Sequence, residues 1–376
     1  CNYIGHPDDG GMAFISVVSP EPELRTSIIA SCEVESQIPG GPCSARYIEV
    51  DGITYLDQPD KYPSLRTYEP EPGDGASKTY SWGLDRIDGR EGLDGSHEFG
   101  GYTGDGLHVF HLDTGIVSGL DEFEGRVVPT LDMTVVTKAD DGMVSPAVCH
   151  PSDKMCALDK QGHGTHTAGT IGSKTFGVAT KAIIHAVKIL DDDGFGSWAS
   201  FIGAFDHVMN YCKRKGIERA VLSASLGGAG PTVAVTEAVN QAVARGIVVV
   251  VAAGNQHQDA CKFLPAAVPA AITVGSTDEF DQMSYFSNYG ACVDIFAPGS
   301  HILSLGLNGQ PVAYSGTSMA APFVAGAAAL IFAQSPDTTP EVVDTKLDEA
   351  SSVGCIQGLP LPSQNKFLYV GPETDQ

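Results

Sequence analysis

Positive charge is scarce in this chain. Its 376 residues carry 22 Lys and Arg against 46 Asp and Glu, a formal net charge of −24. Nucleic-acid binding rests on clustered Lys and Arg, so that class of partner is excluded, while bound cations are favoured. Long apolar runs are missing too. The longest, 319–333, contains Pro322 and gives way to Gln334. A bilayer span needs about 20 such residues, so no membrane helix is expected. The nine cysteines form no Cys-x-x-Cys pair and no Cys/His cluster of zinc spacing. They are either scattered buried thiols or the disulfides of an oxidising compartment with at least one thiol left over. No Asn-x-Ser/Thr sequon, internal repeat or low-complexity tract occurs. The first residue is Cys1 rather than Met, which reads as a processed chain or a fragment with no signal peptide left to see.

With 42% hydrophobic and 18% charged residues, the rest is a globular protein with a sizeable core. Residues 1–78 stand apart. They hold the Pro/Gly-rich pieces 38–42 and 69–75, and the second reads as an exposed acidic linker. From Tyr80 onward the pattern is regular. Near-continuous apolar runs at 107–112, 182–190, 220–226, 247–252, 271–275 and 293–296 read as strands buried on both faces. Between them lie helical stripes: Phe201, Phe205, Val208 and Cys212, then Val235, Val239, Ala242 and Val243. Alternation of this kind predicts an α/β fold, a doubly wound parallel sheet with helices on both faces. Its chemistry belongs at the carboxyl ends of the strands.

Four residues stand there. Asp113 ends the first run, in His111-Leu112-Asp113-Thr114-Gly115; alone it reads as a turn or cap residue. His163 sits in Gly162-His163-Gly164-Thr165-His166. A metal pair with His166 is conceivable, but no third ligand follows at useful spacing. Ser318, in Gly316-Thr317-Ser318-Met319-Ala320, opens a long apolar helix, where an N-cap serine is the plain alternative. Asn255 follows the run 247–252 and is either a turn former or a donor aimed into a cleft. Together they meet the demands of acyl transfer. A serine hydroxyl needs an adjacent base, an imidazole supplies it, and a carboxylate fixes the imidazole tautomer. The oxyanion needs two donors, here the Asn255 amide and the Ser318 N–H at a helix start. The order Asp, His, Ser is that of subtilisin, and the α/β-hydrolase G-x-S-x-G is absent.

On these motifs, with Ser81-Trp82-Gly83-Leu84-Asp85, Glu122-Phe123-Glu124-Gly125-Arg126, Ser225-Leu226-Gly227-Gly228 and Ala253-Gly254-Asn255, the region from about 79 resembles the subtilisin-like serine proteases. It is most like their proteinase K branch. The resemblance implies an endopeptidase domain over 79–376, with Asp113, His163 and Ser318 as triad and Asn255 with the Ser318 N–H as oxyanion hole. It implies that a peptide adds as a strand between Gly194-Phe195-Gly196 and Ser225-Leu226-Gly227. The S1 pocket would be walled by Ala252, Ala253 and Gly254, giving broad specificity with apolar or aromatic P1. It implies no cofactor for catalysis and a structural calcium held by Pro269 and Ala271 carbonyls and Asp294. Asp85 and Asp88 resemble a weaker second calcium set, from which Gly89 departs. Cys261 and Cys292 match a disulfide of some relatives. Cys149 and Cys156 lie in a lengthened Asp113–His163 interval and can close a small loop on each other, and Cys212 is expected free in a helix core.

Residues 12–24 and 45–51 resemble the second half of the family's inhibitory propeptide, interrupted by the stretch between Cys32 and Cys43; an unrelated leader is the alternative. The expectation is a secreted or lumenal zymogen, monomeric, whose partners are protein or peptide substrates and its own propeptide, with self-cleavage near 74–79. A peptide-binding pseudoprotease and a small-molecule acyl hydrolase remain as alternatives.

Overall fold

The computed structural model describes residues 3–4, 15–16, 51–56, 81–138, 144–229, 232–335 and 337–372. The linker 69–75, the expected cut at 74–79, most of the propeptide-like stretches, and Cys1, Cys32 and Cys43 lie outside the described residues. Two short strands, β1 (Tyr3–Ile4) and β2 (Ile15–Ser16), pair antiparallel. Next come β3 (Ile53–Tyr55), α1 (Trp82–Asp88), β4 (His108–Asp113), β5 (Val127–Lys138) and β6 (Val144–Val148). The middle supplies α2 (His163–Gly172), β7 (Ile183–Lys188), β8 (Phe195–Ser197), α3 (Trp198–Lys215), β9 (Ala220–Ala224), β10 (Gly228–Ala229), α4 (Val233–Val243) and β11 (Ile247–Ala252). The last third supplies β12 (Phe263–Leu264), β13 (Ile272–Thr277), β14 (Ile295–Pro298), β15 (Ile302–Leu305), β16 (Pro311–Tyr314), α5 (Thr317–Gln334), α6 (Pro340–Ala350), β17 (Ser352–Val353) and β18 (Lys366–Phe367).

Ten strands form one sheet in the order β17-β18-β14-β13-β11-β9-β4-β7-β5-β6. Its centre is parallel throughout. Both edges add an antiparallel pair that the sequence pattern does not announce, β5 with β6 and β17 with β18. These edge strands expose side chains such as Val148 and Val353, and a strand pair wet on one side is tolerated antiparallel. In β11 the two faces are both dry: Ile247, Val249 and Val251 join one core, Val248, Val250 and Ala252 the other. That explains why the run is continuously apolar instead of alternating.

The expected stripes Phe201/Phe205/Val208/Cys212 and Val235/Val239/Ala242 cover one face through α3 and α4. Helices α2 and α5 cover the other. By length and composition α5 could cross a membrane, but 89% of that window is buried inside the protein, as befits a central helix surrounded by its own domain. The sheet brings the ends of β4, β9 and β11 beside the starts of α2 and α5. That is where the candidate residues stand.

Candidate active site

Asp113 is the last residue of β4 and is fully buried; His163 is the first of α2 and nearly so. His163 Nδ1 lies 2.8 Å from Asp113 Oδ1 and 3.0 Å from Oδ2. A carboxylate only accepts, so Nδ1 carries the proton and Nε2 is left as the base. Asp113 Oδ1 also accepts the Thr114 N–H at 2.7 Å. Burial pushes the Asp113 carboxyl up, but His163 by charge and by hydrogen bond, then His111 and the Thr114 N–H, outweigh it and hold it below the usual range. Asp159, which the motif reading passed over, fastens the two pieces together. Its Oδ1 accepts from Thr114 Oγ1, Gln161 N and Gly162 N, and its Oδ2 from Thr165 N and Oγ1. A buried carboxylate with five donors is a clamp, and its signal was an Asp four residues before a helix-opening His. His166 points elsewhere: Nε2 lies 3.0 Å from the Ile302 carbonyl and the ring stacks on Tyr314. The metal-pair option therefore falls away.

Ser318 stands in the first turn of α5, where backbone N–H groups have no partner within the helix. Pro322, four residues on, returns no N–H to the Ser318 carbonyl. Ser225 Oγ donates to that carbonyl instead, at 3.1 Å, and Ser318 Oγ donates to the Ser225 carbonyl at 3.2 Å. Asn255 Oδ1 accepts from Thr317 N at 2.8 Å and from Thr317 Oγ1 at 3.0 Å. These donors fix which way the amide faces, with Nδ2 on the other side. Buried Asn288 holds the loop around it, donating to the Ala253 carbonyl and accepting from Gln256 and Gln258 N–H. A Cβ on Gly316 would stand 3.5 Å from Asn255 Nδ2 and 3.6 Å from Ser318 N. Both donors therefore border one small space, open because residue 316 has no side chain.

A sequence model of the subtilase family matches residues 104–359. The cuticle-degrading protease of Metarhizium anisopliae is 40% identical over 291 residues, 77% of this chain and 70% of that protein. The chain belongs to the subtilase family of serine proteases. The extracellular serine proteinase of Thermus sp. (strain Rt41A) is 41% identical over 292 residues, 77% of this chain and 66% of that protein. A crystal structure of a cold adapted subtilisin-like serine proteinase superposes on this subtilase with a TM-score of 0.67 at 37% identity, covering 78% of this chain and 98% of that one.

Beside Ser318 the subtilase has a pocket bordered by Leu226, Gly227, Ala252, Ala253, Gly254 and Asn255, all candidates from sequence. Phe263, Leu264 and Ala266 complete it; they were not foreseen because β12 reaches the pocket only by pairing with β10. No charged side chain lines it. The segments Gly194-Phe195-Gly196 and Ser225-Leu226-Gly227 do flank a strand, and that strand is the chain's own β3. It pairs antiparallel with β8, Tyr55 opposite Phe195. On its other side Tyr55 N donates to the Gly227 carbonyl at 3.1 Å and the Tyr55 carbonyl accepts the Gly227 N–H at 3.4 Å. Leu56 N donates to the Gly194 carbonyl at 3.0 Å. Asp51 accepts the Ala199 N–H at the start of α3, anchoring the approach.

Cys261 is joined to Cys292 and Cys149 to Cys156. The first closes a loop between the Asn255 segment and β14; loops of that length are worth about 3–4 kcal/mol in the chain-entropy picture. Cys212 is a free, buried thiol, pushed up to about 12 by burial, and Cys355 is a second free one. Among the described residues no three His, Cys, Asp or Glu converge as a metal group. The expected calcium set holds a single carboxylate, Asp294, whose Oδ2 accepts the Thr273 N–H at 2.8 Å, two residues beyond Ala271. Burial, then the charge of Asp344, pushes the Asp294 carboxyl up to about 6. That excess of negative charge at a half-buried oxygen suits a hard divalent cation. The second set fits less well: Asp85 accepts from Asp94 N and Gly95 N, and Asp88 from Glu98 N, so both serve to pin the loop after α1.

Proposed function

We propose that this subtilase is a broad-specificity endopeptidase, secreted and made as a zymogen, whose triad is Asp113, His163 and Ser318. The observation that carries the reading is the His163 Nδ1–Asp113 contact at 2.8 Å, which leaves Nε2 as a base for a serine that shares a helix start with an amide donor. An incoming peptide pairs its main chain with Gly194-Phe195-Gly196 and Ser225-Leu226-Gly227. It takes the Ser225 carbonyl as acceptor, and the Ser318 hydroxyl so released turns to His163. Oγ attacks the scissile carbonyl carbon as its proton passes to Nε2. Asn255 Nδ2 and the Ser318 N–H receive the oxyanion. The C–N bond then breaks and the amine leaves with the His163 proton. Water attacks the acyl-enzyme, its proton taken by His163, and the acid departs as Ser318 is restored. Asp113 stays ionised throughout. The pocket of Ala252, Ala253, Gly254 and Leu264 selects apolar or aromatic P1 side chains.

The similarity to the extracellular serine proteinase of Thermus sp. supports secretion. Residues 1–78 act as an inhibitory propeptide-like segment, and β3 is its active part: it occupies the substrate's strand position. Self-cleavage near residues 74–79, beyond the linker, would release this segment from the cleft. Catalysis uses no cofactor. A calcium held by the Pro269 and Ala271 carbonyls and Asp294 would brace the start of β13. The working form is a monomer. A protein digest by the purified chain, with and without Ser318→Ala, tests the reading. Fragments ending in Phe, Tyr or Leu from the native chain alone support it; identical digests sink it.

A further inference from the structure

The triad has a buried imidazole beside it with no task, His111. It stands two residues before Asp113 on β4, so the two side chains share a face of the strand. Its side chain is fully buried. Nε2 lies 2.8 Å from Thr167 Oγ1 and 3.6 Å from Asp113 Oδ2, and Nδ1 meets no partner. A polar ring inside an otherwise apolar run is costly unless its polar edge is used.

The tautomer follows from the neighbours. Thr167 has one hydroxyl proton, directed along α2 to the carbonyl of His163 at 2.9 Å or of Gly164 at 3.2 Å. Thr167 therefore faces His111 with a lone pair, and His111 Nε2 carries the proton. The opposite tautomer would bury an Nδ1–H with no acceptor and turn a lone pair towards a carboxylate, the costlier arrangement. Burial holds His111 below the ordinary imidazole range against the pull of Asp113, so the ring is neutral. On Asp113, Oδ1 takes the shorter contacts from Thr114 and His163. Oδ2 has His111 Nε2 and Thr167 Oγ1, at 3.6 and 3.5 Å, on its far side. These are too long for bonds, but an N–H dipole acts strongly at that range in a dry site.

We propose that His111 is a positioning residue for the triad: fixed by Thr167 with its proton on Nε2, it turns the positive, proton-bearing edge of its ring towards Asp113 Oδ2, steadies the carboxylate and tempers its pull on the His163 imidazolium. The proposal rests on the protease reading of Asp113, His163 and Ser318. The other ionisable groups around the cluster are His163 and His166 on α2, Asp159 before it, and Lys188 on β7, which bonds the Thr114 carbonyl and pairs with Asp192. Opposite His111 the neighbouring strands present only Ala186 and Ser223.

Two substitutions test it. His111→Leu keeps the volume and removes the donor; His111→Gln keeps an amide N–H near the place of Nε2. Without the dipole the carboxylate favours the imidazolium more strongly. His111→Leu should therefore move the acid limb of kcat/KM upward by about half a pH unit and lower kcat about 10-fold with KM little changed. His111→Gln should restore most of both. In a Ser318→Ala background, NMR of the His163 Nδ1 proton should show the same upward movement whether or not the chain cleaves peptides, which separates failure of this proposal from failure of the protease reading. If His111→Leu does not fold, Thr167→Val, which releases the ring, should move the titration in the same direction by less. An unmoved NMR titration, or equal shifts with Leu and Gln, overturns the proposal and leaves His111 as packing.

Discussion

The two walls of the cleft are built on opposite plans. On one, β4, α2, α5 and the loop after β11 present side chains fixed by named partners: Asp113 by Thr114 and His163, Asn255 by Thr317, Ser318 by Ser225. On the other, 194–196, 225–227 and 252–254 present main chain, glycine and alanine. A wall of side chains is sensitive to the loss of one group and indifferent to the sequence bound. A wall of main chain grips any extended peptide, including residues 53–56 of the same chain. Reaction and recognition are thus separable, and each can be damaged alone.

The sharpest break is on the side-chain wall. Ser318→Ala should lower kcat by about 10⁶, the cost known for subtilisin itself, while the fold persists. Intact-mass analysis should then find residues 1–78 still attached; a trimmed product would mean another nucleophile. Asn255→Ala comes next, with kcat down about 10²–10³ and KM nearly unchanged. A rise in KM at constant kcat would move Asn255 to the recognition wall. On that second wall the effects are smaller. Tyr55→Pro removes the N–H given to Gly227 and should speed the onset of activity about 5-fold, the worth of about one hydrogen bond. Tyr55→Ala, which keeps the N–H, should change less. The reverse order would show that side chains, not main chain, set the grip.

The smallest expected effect lies behind both walls. Chelation, or Asp294→Asn, should lower the melting temperature by about 5 °C with little change in kcat at low temperature. The pH dependence has a definite sign. The Asp294 carboxyl is raised to about 6 in the fold, above its ordinary value. Without a cation, stability is therefore full below about pH 4 and falls as pH rises through about 6. A bound calcium offsets that loss, so chelator should cost more at pH 7 than at pH 5. Equal losses at both would separate Asp294 from the calcium.

The central strands were legible because burial on both faces writes itself as unbroken apolar runs, and the four polar residues stood out at their ends. β3 was not legible. Its partners are the backbones of Gly194, Phe195 and Gly227, and main-chain pairing leaves no mark in side-chain pattern. The β5–β6 edge was missed for a related reason: half-exposed strands have no continuous apolar signature. Asp159 and the Ser225 hydroxyl were hidden because their worth lies in contacts across 45 and 93 residues of sequence. His111 was visible as a polar residue in an apolar run; only the tertiary neighbour Thr167 gives it a meaning.

Gly316 carries a consequence for how such a site is mapped by mutation. Truncation scans find a residue by deleting its atoms, and here nothing can be deleted. The space shared by Asn255 and Ser318 exists because one methyl group was never added. Every single-residue change at 316 adds atoms, so the position would be blank in an alanine scan that skips glycines and decisive in one that converts them. Gly254, where a Cβ would come 2.5 Å from Asn288 Nδ2, belongs to the same class. A map of this protein's essential groups must therefore count vacancies as well as atoms, and only insertion of bulk, one carbon at a time, can reveal them.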